Sequence, residues 1–414
     1  MARKIDPASI PKDWKYDLLD NFAVRCSGHT PSQSHPEYWD GGIKWISLAD
    51  SNRLDKGYIF TTSKEISEKG VKNSSAVLLP AETVVLSRDA GIGKSAIMYE
   101  PMAVSQHFIA WKCDNKQKLN SWFLYNWLQI NKVEFERQAV GSTIKTIGLP
   151  YFKKLKIALP PYKEQDKIAQ ILSTWDQAIS TTEKLLENSQ KQKKALMQQL
   201  LTGKKRLLDE QKSFCDPWVN SKIRDMGKIT SGGTPDTENL DYWNGTVPWL
   251  TPTDVTALKS AYVSSTSRKI TELGVNESSA TLLPKESLMV CTRATIGSMA
   301  ISTVEMCTNQ GFKNITPNKN FEVKFIYYLL SFNIKELLRK SSGSTFLELS
   351  KKDFENIELF CPAIKEQRKI AEVLSVVDQE TETLQKKLDC LKREKKALMQ
   401  QLLTGKKRVK VAAS

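Results

Sequence analysis

Leu159-Pro160-Pro161-Tyr162 differs in one residue from the Asn-Pro-Pro-Tyr run with which amino-methylating enzymes grip a target amino group. That chemistry needs an Asn or Asp side-chain oxygen to accept a hydrogen bond from the amino group, and Leu159 has no such atom. The corresponding residues 361–364 read Cys-Pro-Ala-Ile, and no Gly-rich cofactor loop accompanies either run. The prolines instead suit the start of a helix, where a missing N–H leaves no bond unmade. Gly91-Ile92-Gly93-Lys94-Ser95 follows a strand-like run, as a phosphate-binding loop would. The full pattern requires glycine at 88, where Arg88 stands. The equivalent turn at 295–299 carries Ser298 in place of Lys94. Neither motif supports a nucleotide or methyl-transfer site, and no cofactor is expected. The three histidines, His29, His35 and His107, form no ligand pair at helical spacing, and none of the seven cysteines is spaced Cys-x-x-Cys. No metal centre, Ser-His-Asp set or carboxylate–lysine nuclease constellation is legible. Scattered, odd-numbered cysteines suit a reducing compartment.

What remains is charge. Lys and Arg number 61 against 46 Asp and Glu, a formal net charge of +15. That excess points to a polyanionic partner, nucleic acid first and a membrane surface second; the plain alternative is that lysine keeps the surface soluble. No apolar run reaches the about 18 residues of a membrane span, and the N-terminal segment lacks the apolar core of a signal peptide. A cytoplasmic location is expected. Arg88 and Lys94, with Thr292 and Arg293 at the corresponding turn, are then candidates for contacts to DNA phosphate; the alternative is a turn that serves only the fold. Gly-Ser-Thr recurs at 141–143 and 343–345. Ser142, Thr143, Ser344 and Thr345, with Lys145 nearby, either offer hydroxyls and amides to a phosphate or base edge or cap a glycine turn locally. Lys204-Lys205-Arg206 and Lys406-Lys407-Arg408 either complement the dipole at a helix C-terminus or dock to a partner subunit or DNA.

The elements that carry these residues are repeated. KKALMQQLLTGKKR stands at 193–206 and, unchanged, at 395–408. Residues 160–206 and 362–408 are identical at 28 of 47 positions. Upstream, GHTPSQSHPEYWDGGIKW (28–45) faces GGTPDTENLDYWNGTVPW (232–249), SSAVLLPAE (74–82) faces SSATLLPKE (278–286), and Trp14 faces Trp218. The chain is a tandem duplication, one half near 14–206 and the other near 218–408. The helical stretch kept one shared job. The segment before it kept Gly, Pro and Trp and changed most other positions.

Steps of four and three place Ile168, Leu172, Trp175, Ile179, Leu186, Leu196 and Leu200 on one stripe, broken by Thr182, Ser189 and Lys193. The second stripe runs Ile370, Leu374, Val377, Leu384, Leu388, Leu391, Leu398 and Leu402, broken by Thr381 and Lys395. This spacing specifies a seam facing another helix. With polar breaks in both, the simplest partner for one copy is the other, antiparallel, which would put the two preceding domains at opposite ends of a rod. Gly203 and Gly405 suit left-handed helix caps, and about 40 residues of helix span roughly 60 Å. VLLPAETVVLS and TLLPKESLMVCT read as strand–turn–strand, WFLYNWLQI and FIYYLLSFNIKELL as helices. Tyr38, Trp39, Trp45, Tyr242, Trp243 and Trp249 recur in register, which favours core packing over base stacking.

Twice, in one order, the chain runs through G-x-T-P, Tyr-Trp and Trp, a T-I-G-like turn, Gly-Ser-Thr, P-x-x-K-E-Q-x-K-I-A-x-x-L-S-x-x-D and a helix ending L-L-T-G-K-K-R. This duplicated order resembles the specificity subunit of type I restriction-modification enzymes over nearly the whole chain. The expected fold is then α+β: two α/β target recognition domains in tandem pseudo-repeat, separated by two long helices forming an antiparallel coiled coil. Expected boundaries are recognition domain 1 at 1–159, conserved helix 1 at 160–206, a linker at 207–217, recognition domain 2 at 218–361, conserved helix 2 at 362–408 and a tail at 409–414.

The resemblance implies that each domain reads one part of a bipartite, asymmetric double-stranded DNA target. It implies that the helices dock two modification (methyltransferase) subunits, which carry S-adenosylmethionine and methylate adenine, and that restriction subunits join through that complex. The chain itself is expected to be non-catalytic, with no cofactor, metal or membrane of its own. One rival reading is a self-contained methyltransferase or nuclease, which would need an intact cofactor or metal motif. Another is a coiled-coil scaffold that binds DNA without sequence preference, against which stand diverged paired domains on an invariant spacer.

Overall fold

The computed structural model describes residues 10–115, 117–141, 145–207, 216–342 and 347–411. The architecture is α+β. The chain divides into two compact units: one takes residues up to Thr181 together with those from Leu388 on, the other Thr182–Lys387. Two continuous helices, Tyr162–Leu200 and Ile364–Leu402, have 39 residues each, about 58 Å at 1.5 Å per residue. The division falls within both, so each unit owns the beginning of one helix and the end of the other. No described helix is long and apolar enough to cross a membrane.

The first unit is built on a five-stranded sheet in the order Val24–Ser27, Phe108–Lys112, Val84–Ser87, Ser95–Met98, Tyr58–Ile59. Neighbours are antiparallel except the last pair, which is parallel. The central strands are buried on both faces. Alternation sends Val84, Leu86, Ile97, Ile109 and Trp111 towards Phe123, Leu124 and Leu128 of the helix Ser121–Ile130. The intervening Val85, Ala96, Met98 and Ala110 face Ile46, Leu54, Ile59 and Leu79. A three-stranded sheet, Lys64–Ile66, Trp39–Ile46, Ala103–Val104, and a two-stranded pair, Lys15–Leu18 with Lys156–Leu159, complete the unit's sheets among the described residues.

The second unit repeats this plan. Its larger sheet runs Gly227–Ser231, Phe312–Pro317, Leu288–Cys291, Met299–Ser302, Tyr262–Val263, and its smaller ones are Arg268–Ile270, Trp243–Leu250, Cys307–Thr308 and Val219–Lys222 with Glu358–Cys361. Even the irregularities recur: a bulge follows Trp39 and Trp243, with Asp40 at φ +54° and Asn244 at φ +60°.

Two local expectations change. In the VLLP and TLLP segments only Leu79 and Leu283 make a single bridge, to Met102 and Met306, before the turn. Pro80 and Pro284 have no N–H with which to extend a ladder. FIYYLLSFNIKELL forms two helices, Val323–Phe332 and Ile334–Lys340. Asn333 interrupts them, donating its Nδ2 back to Leu329 O at 2.8 Å; Asn131 does the same to Trp127 O at 2.7 Å.

Within each unit the long helices pair antiparallel. In the first, Ile168 and Leu172 share a core with Met399, Leu402 and Leu403. In the second, Leu200 and Leu201 share one with Ile370, Ala371 and Leu374. Every seam residue named above is buried or half-buried. Four of the polar breaks find partners on the other helix: Ser189 Oγ lies 3.0 Å from Thr381 Oγ1, and Lys193 and Lys395 bond Asp378 and Asp176, each at 2.5 Å. Gly203 and Gly405 end the helices at φ +70° and +74°, the left-handed conformation that glycine adopts without a Cβ clash.

Candidate nucleic-acid interface

Each central strand, Val84–Ser87 or Leu288–Cys291, ends in a tight turn that returns through Gly93 or Gly297. Ser87 N–H donates to Lys94 O and Cys291 N–H to Ser298 O, both at 2.8 Å. These bonds fix the equivalence: the counterpart of Arg88 is Thr292, and that of Asp89 is Arg293. Thr292 does not fit the contact role expected of it. It is fully buried, and both its N–H and its hydroxyl are spent on Gly311 O, at 2.8 and 3.2 Å. It holds the turn and presents nothing.

The charged residues have partners of their own. Arg293 is half-exposed and bonds Glu348 at 2.8 Å. Arg88 is mostly covered, its Nε 3.6 Å from Asp89, and Asp89 also engages His107 Nδ1 and Thr146 Oγ1. Lys94 turns its ammonium to Ser51 O and Oγ, both at 3.0 Å. Lys145 is exposed. Lys94, Lys132 and Lys145, with Asp89 and Glu136, line an open depression of about 440 Å³ in the first unit. Ser142, Thr143, Ser344 and Thr345 lie outside the described residues. The second unit adds a group that sequence reading passed over: Lys313 stands where the first unit has Ile109, buried in the strand beside the turn. Burial pushes its pKa down, and the charge of Glu348 works the other way.

The recurring tryptophans serve the fold. Trp39 and Trp45 meet edge to face at 5.2 Å, Trp243 and Trp249 at 5.1 Å. Their indole N–H groups donate to the backbone of the G-x-T-P segment and the residues just after it: Trp45 to His29 O, Trp249 to Gly233 O, Trp39 to Ser32 O and Trp243 to Asp236 O.

The arginine of each repeated basic end is engaged within the fold, while Lys204, Lys205, Lys406 and Lys407 are exposed. Arg206 forks onto Glu366 with bonds of 2.8–3.1 Å, and Trp218 Nε1 donates to the same carboxylate at 3.1 Å. Arg408 forks onto Glu164 at 2.7 Å, with Trp14 Nε1 at 3.3 Å and Asp13 on the far side. The neighbouring glutamines are equally committed. Gln165 bonds Pro160 O, Lys118 O and Asn120 N–H; Gln367 bonds Pro362 O, Asn320 O and Glu322 N–H. The Glu-Gln pairs and the arginines of the Lys-Lys-Arg runs are thus two ends of one clamp, which closes a helix start on the end of the other helix and on a tryptophan just before the adjoining strand. The joint retention of Trp14/Trp218, Glu164/Glu366 and Arg206/Arg408 was the only signal of it in the sequence.

The type I restriction modification DNA specificity domain matches the chain twice, at residues 11–189 and 216–393, and the chain belongs to this family of specificity subunits. It is similar to the MjaIX type I restriction enzyme specificity subunit of Methanocaldococcus jannaschii, 38% identical over 178 residues; that match spans 42% of this chain and 41% of the relative. The MjaVIII specificity subunit of the same organism is 26% identical over 430 residues, 97% of this chain and 94% of its own length. Among solved structures, the S subunit of the type I system of M. genitalium has a TM-score of 0.59 at 17% identity, covering 95% of this chain and 96% of that one. That likeness is one of fold.

Proposed function

We propose that the chain is the non-catalytic DNA-recognition subunit of a type I restriction-modification complex, in which each unit reads one part of a bipartite, asymmetric duplex target. The observation that carries this is the contrast inside the repeat. The helix clamp is kept residue for residue, while the turns at the sheet ends and the residues beside them carry different chemistry: Arg88 and Lys94, with Lys145 nearby, in one unit, and Arg293, with Lys313 buried in the adjoining strand, in the other. A retained junction suits one partner bound twice, here two modification (methyltransferase) subunits, with restriction subunits joining through them. Diverged turns suit two different half-sites. Arg88, Lys94, Lys145 and Arg293 are assigned to DNA, with Ser142, Thr143, Ser344 and Thr345 as further candidates; Thr292 is not. The recognition domains are taken as 1–159 and 218–361, with the helices setting the spacing between half-sites. The net charge of +15 supplies the sequence-independent attraction.

Adenine-methylation mapping of DNA from cells that carry this chain and its modification subunits tests the reading. A two-part motif with a fixed nonspecific spacer is expected. Replacing residues 14–159 with the equivalent segment of a relative should change one part only. Seven residues added to both long helices, which keeps the seam register, should lengthen the spacer and leave both parts intact. Methylation by the partner-free chain would overturn the subunit reading.

A further inference from the structure

Gln106 and Gln310 occupy equivalent positions in the two units, one residue before the backbone that anchors the candidate turns. Arg88 N–H donates to His107 O at 3.0 Å, and Thr292 N–H to Gly311 O at 2.8 Å. Both glutamines are exposed, yet both are held. The hydroxyl of Thr30 donates to Gln106 Oε1 and that of Thr234 to Gln310 Oε1. These threonines belong to the repeated G-x-T-P run, which is itself laid along the same loop: His29 N–H bonds Val104 O at 3.0 Å and Gly233 N–H bonds Thr308 O at 2.9 Å. The first glycine of the run permits that approach. A Cβ on Gly28 would lie 1.9 Å from Val104 O, and one on Gly232 2.0 Å from Asn309 O.

Pinning an exposed, rotamer-rich side chain costs conformational entropy, and folding gains little from it. The same arrangement made twice, in domains that changed most of their exposed residues, marks a ligand group common to both. With Oε1 engaged by the threonine, donors remain on Nε2: at Gln106 it lies 3.4 Å from His107 Nε2, which takes at most one of its two N–H groups, and the other is left to donate outward. The acceptor that two different half-sites share is the phosphate oxygen, since base edges differ with sequence.

We propose that Gln106 and Gln310 are matched phosphate-seating residues, each donating from Nε2 to a backbone phosphate of the half-site its unit reads. They fix the register of each domain on DNA without reading bases. Thr30 and Thr234 are positioning residues that act through them. The inference rests on the DNA-recognition reading above.

The test uses the full chain assembled with its modification subunits, titrated with target and half-scrambled duplexes over a range of salt. A neutral donor releases no counterion, so the slope of log affinity against log salt should stay as it is. Gln106→Ala and Gln310→Ala should each weaken binding about three- to tenfold at every salt concentration, with the methylated sequence and the melting temperature unchanged. Gln106→Glu keeps the shape, sets a carboxylate against the phosphate and should weaken binding further. Thr30→Val should give a smaller loss in the same direction. Unchanged affinity in both alanine variants, or a changed methylated sequence in either, overturns the inference. So does a loss that tracks a lowered melting temperature and that the glutamate variant does not deepen, because that marks a structural role. If the unsubstituted complex itself shows no sequence-selective binding, the underlying reading falls and this one with it. That result is distinct from wild type that binds and variants that match it.

Discussion

Where recognition domain meets long helix, the second unit places Tyr328, whose hydroxyl donates to Asp378 at 2.7 Å beside the Lys193–Asp378 pair. Burial, with the charge of Asp378 adding to it, holds this phenol far above the usual tyrosine range, so it is a donor throughout the physiological range. The first unit has Asn126 instead. Its Nδ2 turns back to Trp122 O at 2.8 Å. Its Oδ1, like Asp176 Oδ2, is buried without a hydrogen-bond partner among the described residues. Only the lysine half of the arrangement survives, as Lys395–Asp176. The difference separates two kinds of contact: those of the clamp at the helix start are kept in both units, and the one made further along the helix by Tyr328 has drifted with its domain.

The largest effect should come from breaking what the units share. Glu366→Ala removes a fully buried carboxylate on which Arg206 and Trp218 Nε1 both converge. It should destabilise the second unit by about 3–5 kcal/mol in chemical denaturation. Glu164→Ala should cost the first unit less, because Arg408 is 41% exposed against 22% for Arg206. Equal losses would mean that exposure of the arginine does not grade the clamp.

Next in size is the point where the units differ. Tyr328→Phe should cost about 1.5–3 kcal/mol, the range for a hydrogen bond to a charged group. Asn126→Leu, at the same place in the other unit, should be neutral or stabilising by up to about 1 kcal/mol, because it removes a buried acceptor with nothing to accept. A clear destabilisation by Asn126→Leu would show that the carboxamide, through its bond to Trp122 O or a solvent partner, supports the first unit. The smallest effects belong to the turns. Arg88→Ala and Arg293→Ala should each lower the slope of log affinity on log salt by about 0.9, whereas Thr292→Val should leave it unchanged.

The helices were legible because a 3.5-residue period needs only one chain's pattern, and the duplication doubled the signal. Pairing of one copy with the other followed from Ser189, Lys193, Thr381 and Lys395, polar breaks that no uniform dimer seam would choose. The clamp was not legible. Glu164 and Glu366 sit in first turns and Arg206 and Arg408 just past last turns, where the helix dipole alone explains their signs. Nothing in local spacing links residues 160 or 244 positions apart. The turns misled for a related reason. Arg88 and Arg293 look equivalent as arginines near a Gly-containing turn, but strand bonds make Arg293 the counterpart of Asp89 and leave Arg88 with buried Thr292 as its own. Gln106 and Gln310 were invisible as a pair because the thing that distinguishes them, a threonine hydroxyl 76 residues away, exists only in the fold.

The split make-up of the first unit sets an order of events during synthesis. The second unit comes from one uninterrupted stretch, Thr182–Lys387, whereas the first waits for residues from Leu388 on. At roughly 5–20 residues per second, the roughly 200 residues in between occupy a ribosome for about 10–40 s. Throughout that interval Ile168 and Leu172 lack Met399 and Leu402, and Glu164 lacks Arg408. The domain translated first is therefore the one sealed last. A chain ending at Lys387 would have a second unit that is whole and a first that carries an uncovered apolar stripe, the kind of surface that chaperones and proteases recognise.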